Sequence, residues 1–157
     1  MALRDIVLHP DPRLAQRCAP VAEFDDDLAE FVSDLFDTMY AAPGRGLAAP
    51  QVGVLSRVFV MDATWKDAAD DGTGQPIALI NPRITWSSSD LAVLEEGCLS
   101  IPDTPRRVAR PDKVRAVWQD LRGDWMEAGF DGFAAAVVQH ELDHLDGRLI
   151  LDHPEVA

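Results

Sequence analysis

The sequence predicts an α+β domain, with one amphipathic helix near each end of the chain and short strands between them. Three observations carry this reading. Apolar residues recur at helical spacing from Asp26 to Tyr40 and again between Asp131 and Gly147. Between those segments lie short runs rich in Val, Ile and Phe, bounded by turn-forming residues. The chain has 157 residues, 47% of them hydrophobic, which is enough for one core and one domain over 1–157.

Leu3 to Leu8 reads as a short extended piece, followed by a turn at Pro10 and Pro12. Leu28, Phe31, Val32, Leu35, Phe36 and Met39 form one apolar helix face. Asp25, Asp26 and Asp27 suit its N-terminal end, where acids meet the positive end of the dipole. Pro43 and Gly44 stop it. Strands are expected at Arg57 to Met61, Ile77 to Ile80 and Leu91 to Leu94, with Asp62 to Pro76 a solvated surface loop. Lys113 to Gln119 alternates through Val114, Ala116 and Trp118, turns at 120–123, and pairs with Asp124 to Ala128 as a hairpin. The last helix starts near Asp131 as N-cap and ends at Gly147 as the C′ residue.

Charge excludes some functions. Fourteen Lys and Arg stand against 27 Asp and Glu, a net charge of −13. Nucleic acid and anionic membranes would repel such a protein. Two cysteines, Cys18 and Cys98, cannot build a disulfide scaffold. The start lacks an apolar targeting segment, and no run nears the roughly 18 residues that span a bilayer. The expectation is a soluble cytoplasmic protein with reduced thiols.

His140-Glu141-Leu142-Asp143-His144 is the pattern HExxH. Residues four apart share a helix face, so both imidazoles can reach one metal, and Glu141 can take a proton from a metal-bound water. Phe133, Ala136 and Val137 are the apolar face of this helix, and continuing the period gives His140, Glu141 and His144. The metal-type residues therefore fall where core residues are expected, and coordination removes the cost of burying them. A catalytic site of this kind needs a third ligand and an open position. Cys98, in Glu95-Glu96-Gly97-Cys98-Leu99-Ser100, is the candidate; an inert buried cysteine is the other reading. Cys18 reads as core. A third segment, Gly44-Arg45-Gly46-Leu47-Ala48-Ala49-Pro50-Gln51, has glycines that allow close approach of a ligand and an amide that can hold an oxyanion. Taken alone, the segment is more simply read as a tight turn after a helix.

The three segments together resemble the peptide deformylase family, which carries G-x-G-L-A-A-x-Q, E-G-C-L-S and Q-H-E-x-D-H-L in this order. Here they are Gly44 to Gln51, Glu96 to Ser100 and Gln139 to Leu145, and His9 to Leu14 is similar to the family's P-D-x-R-L start. The resemblance implies a fold of short antiparallel or mixed strands around a central HExxH helix. It also implies a hydrolase that removes the N-formyl group from the initiator methionine of nascent bacterial proteins. One divalent metal is implied on Cys98, His140 and His144: iron(II) in the cell, with zinc, nickel or cobalt in isolated protein. The catalytic group is then Glu141 as base and acid, with Gln51 and the backbone N–H of Leu99 on the oxyanion. Gly44, Arg45, Gly46, Leu94, Glu96, Gly97, Phe133, Ala136 and Val137 are expected around the substrate, the last three lining the methionine pocket.

Two departures stand out. Position 45 is usually aliphatic in the family, and here it is Arg45. Its stem can cover the pocket, or its guanidinium can select acidic residues or narrow the range of peptides. Many bacterial relatives continue past the metal helix with a long, often basic helix, whereas Leu151 to Ala157 carries Asp152 and Glu155. With the net charge of −13, the expectation is weak or transient ribosome contact, no direct nucleic-acid binding and a monomer. HExxH also suits a metallopeptidase, but one would more often take its third ligand downstream, where only His153 and Glu155 remain. A non-catalytic relative would typically have lost Cys98 or Glu141.

Overall fold

A computed structural model describes residues 2–66 and 74–157. Helix α1 spans Asp26–Ala41, and the Asp25 carboxylate caps it by accepting from Leu28 N at 3.0 Å. Strands β1 (Gly46–Ala48), β2 (Val58–Met61), β3 (Ile77–Ser87), β6 (Lys113–Gln119) and β7 (Trp125–Asp131) form one antiparallel sheet in the order β1-β2-β3-β6-β7. Strands β4 (Leu91–Cys98) and β5 (Ile101–Pro111) form a separate hairpin. Helix α2 spans Gly132–Leu145, with Asp131 as N-cap and Gly147 at φ 77° just past its end. Among the described residues no helix is long and apolar enough to cross a membrane.

The sheet is covered on both faces, which explains the unbroken apolar run of β2. Val58 and Val60 join Leu28, Val32, Leu35 and Met39 of α1. Phe59 and Met61 join Ala135, Val138 and Leu145 of α2. Helix α2 is therefore central, and it is buried on two sides. Ala135, Val138 and Leu145 face the sheet, while Ala136, His140, Glu141 and His144 are buried beside the hairpin. This corrects the single apolar face through Phe133: that ring is 44% exposed.

Three further expectations change. Leu3 to Leu8 is not a strand, although Val7 N donates to Gln51 O at 2.7 Å and His9 N to Ser100 O at 2.8 Å. Strand β3 runs on to Ser87 through Pro82, aided by Asn81 at φ 52° and a register slip between Ile80 and Arg83. Strand β5 is new. The expected loop from Asp62 to Pro76 lies partly outside the described residues, at 67–73; its first residue, Asp62, is buried and bonded to Tyr40 Oη at 2.6 Å and Gln75 N at 2.9 Å.

Candidate metal centre and substrate cavity

Three elements meet at the centre. Helix α2 brings His140 and His144 to one side, one turn apart, with their Nε2 atoms 3.3 Å from each other. The end of β4 brings Cys98, whose sulfur lies 3.4 Å from His144 Nε2. One ligand atom from each of the three lies within 4.8 Å of the others, and all three residues are buried. Tetrahedral coordination at about 2.0–2.1 Å to nitrogen and about 2.3 Å to sulfur separates ligand pairs by about 3.3–3.6 Å. The spacing therefore fits a divalent metal, with one position left for water or substrate.

The surrounding charges orient the ligands. His140 Nδ1 donates to Glu96 Oε1 at 3.0 Å, which leaves Nε2 with its lone pair towards the centre. Burial alone would raise the Glu96 pKa, but hydrogen bonds from His140 and Arg110 outweigh it and hold the carboxyl at about 2. Burial disfavours a cation at His140, yet Glu141, the Cys98 sulfur and Glu96 raise it to about 10. Metal binding at Nε2 must displace that proton, because a ligand imidazole is neutral. His144 is pushed well below the ordinary histidine range, first by burial and then by His140 and Arg110. Neutral imidazole is the ligand form.

Glu141 stands beside the ligands, with Oε2 3.9 Å from His140 Nε2. Its Oε1 is buried without a hydrogen-bond partner among the described residues. Burial pushes this carboxyl up to about 7, with His140 opposing. Gln51 lies on a 3-10 turn, Ala49–Val52, and is buried. Its Oε1 accepts from Ala48 N at 2.9 Å, so Nε2 is turned to Ser100 Oγ at 3.1 Å and towards the Cys98 sulfur at 3.7 Å.

A cavity of about 600 Å³ opens onto these groups, a size that suits a small peptide end. Gly44, Arg45, Gly46 and Gln51 form one wall. Glu96, Gly97, Cys98 and Leu99 form a second, and Phe133, Ala136, Val137, His140 and Glu141 a third. His144 is 1% exposed and sits behind His140. Leu94 is not in the wall: it is half-buried on β4 opposite Val108, about 7 Å further along the strand than Glu96.

Sequence reading missed several participants. The register of the hairpin slips between Glu96/Arg106 and Cys98/Ile101, and residues 102–105 there form the cavity's remaining side. Arg110 is buried and grips Glu96 through Nε at 2.6 Å and Nη2 at 2.9 Å. No local pattern marks it, because only the hairpin register sets it opposite Ala92, in reach of Glu96 on the same strand. Trp65 Nε1 donates to Gly44 O at 2.9 Å and ties the loop after β2 to the cavity wall. His153 is not a ligand: its Nε2 lies 2.7 Å from Asp143 Oδ2.

Comparison with known proteins agrees with this architecture along the whole chain. The family described as Polypeptide deformylase matches residues 3–156. Peptide deformylase of Novosphingobium aromaticivorans is 46% identical over 168 residues, covering 98% of this chain and 89% of that protein. That of Zymomonas mobilis is 43% identical, covering 98% of this chain and 86% of that protein. The crystal structure of the Thermotoga maritima enzyme superposes with a TM-score of 0.91 at 39% identity, over 99% of this chain and all of that one. The Ehrlichia chaffeensis peptide deformylase in complex with actinonin gives a TM-score of 0.91 at 35% identity, over 99% of this chain and 90% of that one. Sequence, fold and ligand geometry agree from one end to the other, and the chain belongs to the peptide deformylase family.

Proposed function

We propose that Cys98, His140 and His144 hold the catalytic metal, and that Glu141 moves the proton in the reaction. The activity is that of the family: removal of the N-formyl group from nascent peptides, giving formate and a free N-terminus. The observation that carries the site assignment is the pairing of three closely spaced donors with a buried Glu141 Oε1 that has no partner among the described residues. When bound, a divalent metal supplies Lewis-acid polarisation of the formyl oxygen and eases ionisation of water at neutral pH.

The chain's own residues do the rest. Glu141 Oε1 accepts the water proton and returns it to the leaving amine. The Gln51 Nε2–H and the Leu99 backbone N–H donate to the developing oxyanion. Phe133, Ala136 and Val137, with the stem of Glu96, receive the methionine side chain, and Gly44 to Gly46 flank the peptide. Iron(II) is the cellular metal in this reading, on the strength of the family resemblance; a thiolate with two imidazoles also accepts zinc, nickel or cobalt. The protein works as one catalytic domain over 1–157, monomeric and cytoplasmic, on formyl-methionyl nascent chains. Its charge of −13 supports transient rather than stable ribosome contact and no direct nucleic-acid binding.

The test is formate release from formyl-Met-Ala-Ser by protein loaded anaerobically with iron(II), with metal content read on the same sample. Glu141→Ala should keep the metal and lose turnover by about 10²–10⁴. Near-normal turnover in that variant would remove Glu141 from the proton path. No release by fully loaded native protein would point to another acyl substrate.

A further inference from the structure

Behind the ligands a line of charged side chains leads away from the metal centre and ends outside it. His140 Nδ1 meets Glu96 Oε1 at 3.0 Å. Arg110 holds both oxygens of Glu96, and its Nη1 reaches Asp143 Oδ2 at 2.9 Å. The same Asp143 oxygen meets His153 Nε2 at 2.7 Å. The first histidine of the motif is thereby connected to the segment beyond α2.

We propose that His153 is a positioning residue for the metal centre, acting through Asp143, Arg110 and Glu96 on the ring of His140. The proposal rests on Cys98, His140 and His144 being the ligand set. Arg110 is a buried cation shared between two acids, Glu96 and Asp143. Its bidentate grip on Glu96 depends on how strongly Asp143 draws the third nitrogen. His153 occupies the same Asp143 oxygen and so limits that pull. Without it, the guanidinium swings towards Asp143, Glu96 loosens, and the His140 ring loses its fixed tautomer and orientation. The contact is shielded: the side chains of His153 and Asp143 are 15% and 17% exposed. Pairing in such surroundings is worth more than at an open surface.

The His153 ring is not what holds the chain end in place. Arg106 Nε donates to His153 O at 3.1 Å, and Val156 N to Arg107 O at 3.0 Å. Replacing the ring therefore removes the Asp143 contact and leaves the backbone anchored. This separates positioning from packing.

The experiment uses the full chain loaded with cobalt(II), following the sulfur-to-cobalt absorption as excess chelator withdraws the metal. A direct partner of a ligand typically contributes 10- to 100-fold in affinity, so His153→Ala, further out, should release cobalt about 3- to 10-fold faster and alter the band. His153→Gln, whose amide can donate to Asp143 from the same position, should restore the native rate. A native rate in His153→Ala, or no rescue in His153→Gln, would overturn the proposal. A native protein without any sulfur-to-cobalt band would instead overturn the ligand assignment on which it rests.

Discussion

Gly46 and Glu141 touch so closely that position 46 has no room for a side chain: a Cβ there would stand 2.6 Å from Glu141 Oε2 and 2.9 Å from its Cδ. The requirement concerns space, since only the backbone of β1 can pass this close to the carboxylate. The conflict involves the body of the glutamate side chain as well as its tip, so an added methyl must displace the proposed base. Gly46→Ala should keep the metal and fold, while turnover of formyl-Met-Ala-Ser falls by about 10²-fold, the loss expected of a misplaced catalytic group. Metal analysis and steady-state kinetics on one preparation check this. Unchanged kcat would mean that Glu141 has freedom the packing does not suggest.

Gln51 divides its amide between two tasks. Its oxygen is used up on Ala48 N, and its nitrogen is left to face the centre. Gln51→Leu removes both, and Gln51→Glu keeps an acceptor for Ala48 while losing the donor. Both variants should lose turnover by about 10²–10³ if the amide stabilises an oxyanion. Only the leucine variant should also lower thermal stability, because it alone leaves Ala48 N buried without a partner. A loss below about threefold in Gln51→Glu would take the amide out of that role.

The histidine pair proposed as metal ligands on α2 is legible in the sequence because a four-residue spacing on a helix is local geometry. Cys98 and Gln51 are candidates from their own segments, each with a rival reading as buried cysteine or tight turn, and the order of the three motifs favours the functional one. Arg110 is not legible at all. It lies in a stretch flanked by Pro105 and Pro111, residues that argue against a strand, and β5 was not expected there. The hairpin register alone makes that arginine a buried partner of Glu96. Phe133 shares a cavity wall with Ala136 and Val137, as its spacing implies, but the cavity opens at that end of α2 and leaves the ring 44% exposed.

The N-terminal segment is tied to α1 through Asp34, which accepts from Ala2 N at 2.9 Å and from Arg4 Nε at 3.1 Å. The Ala2 N–H holds the Asp34 carboxyl below its usual range; burial opposes this and Arg4 supports it. A carboxyl that binds its proton less readily when folded contributes stability above its unfolded pKa of about 4. That contribution disappears as the pH falls through the lower folded value. Asp34→Asn should therefore lower Tm at pH 7, and the gap to the native protein should close as the pH falls below about 4. Scanning calorimetry of both proteins across that range checks it. A gap of constant size across the acid range would assign the effect to packing.

Arg45 lines the cavity. Its guanidinium lies 4.8 Å over the ring of Phe133, and its Nη1 donates to Ala63 O at 3.3 Å. Both contacts hold the arginine across the wall proposed to receive the methionine side chain, instead of letting it extend into solvent. A cation stacked on an aromatic ring contributes about 0.5–1 kcal/mol where water has access. A substrate that needs that ring face must displace the guanidinium first. Arg45→Ile should therefore lower KM for formyl-Met peptides by about two- to fivefold, the equivalent of that stacking energy, with little change in kcat. Steady-state kinetics of the two proteins on the same peptide decide the matter. Equal or tighter binding by the native enzyme would mean that the arginine supports the pocket wall and does not compete for it.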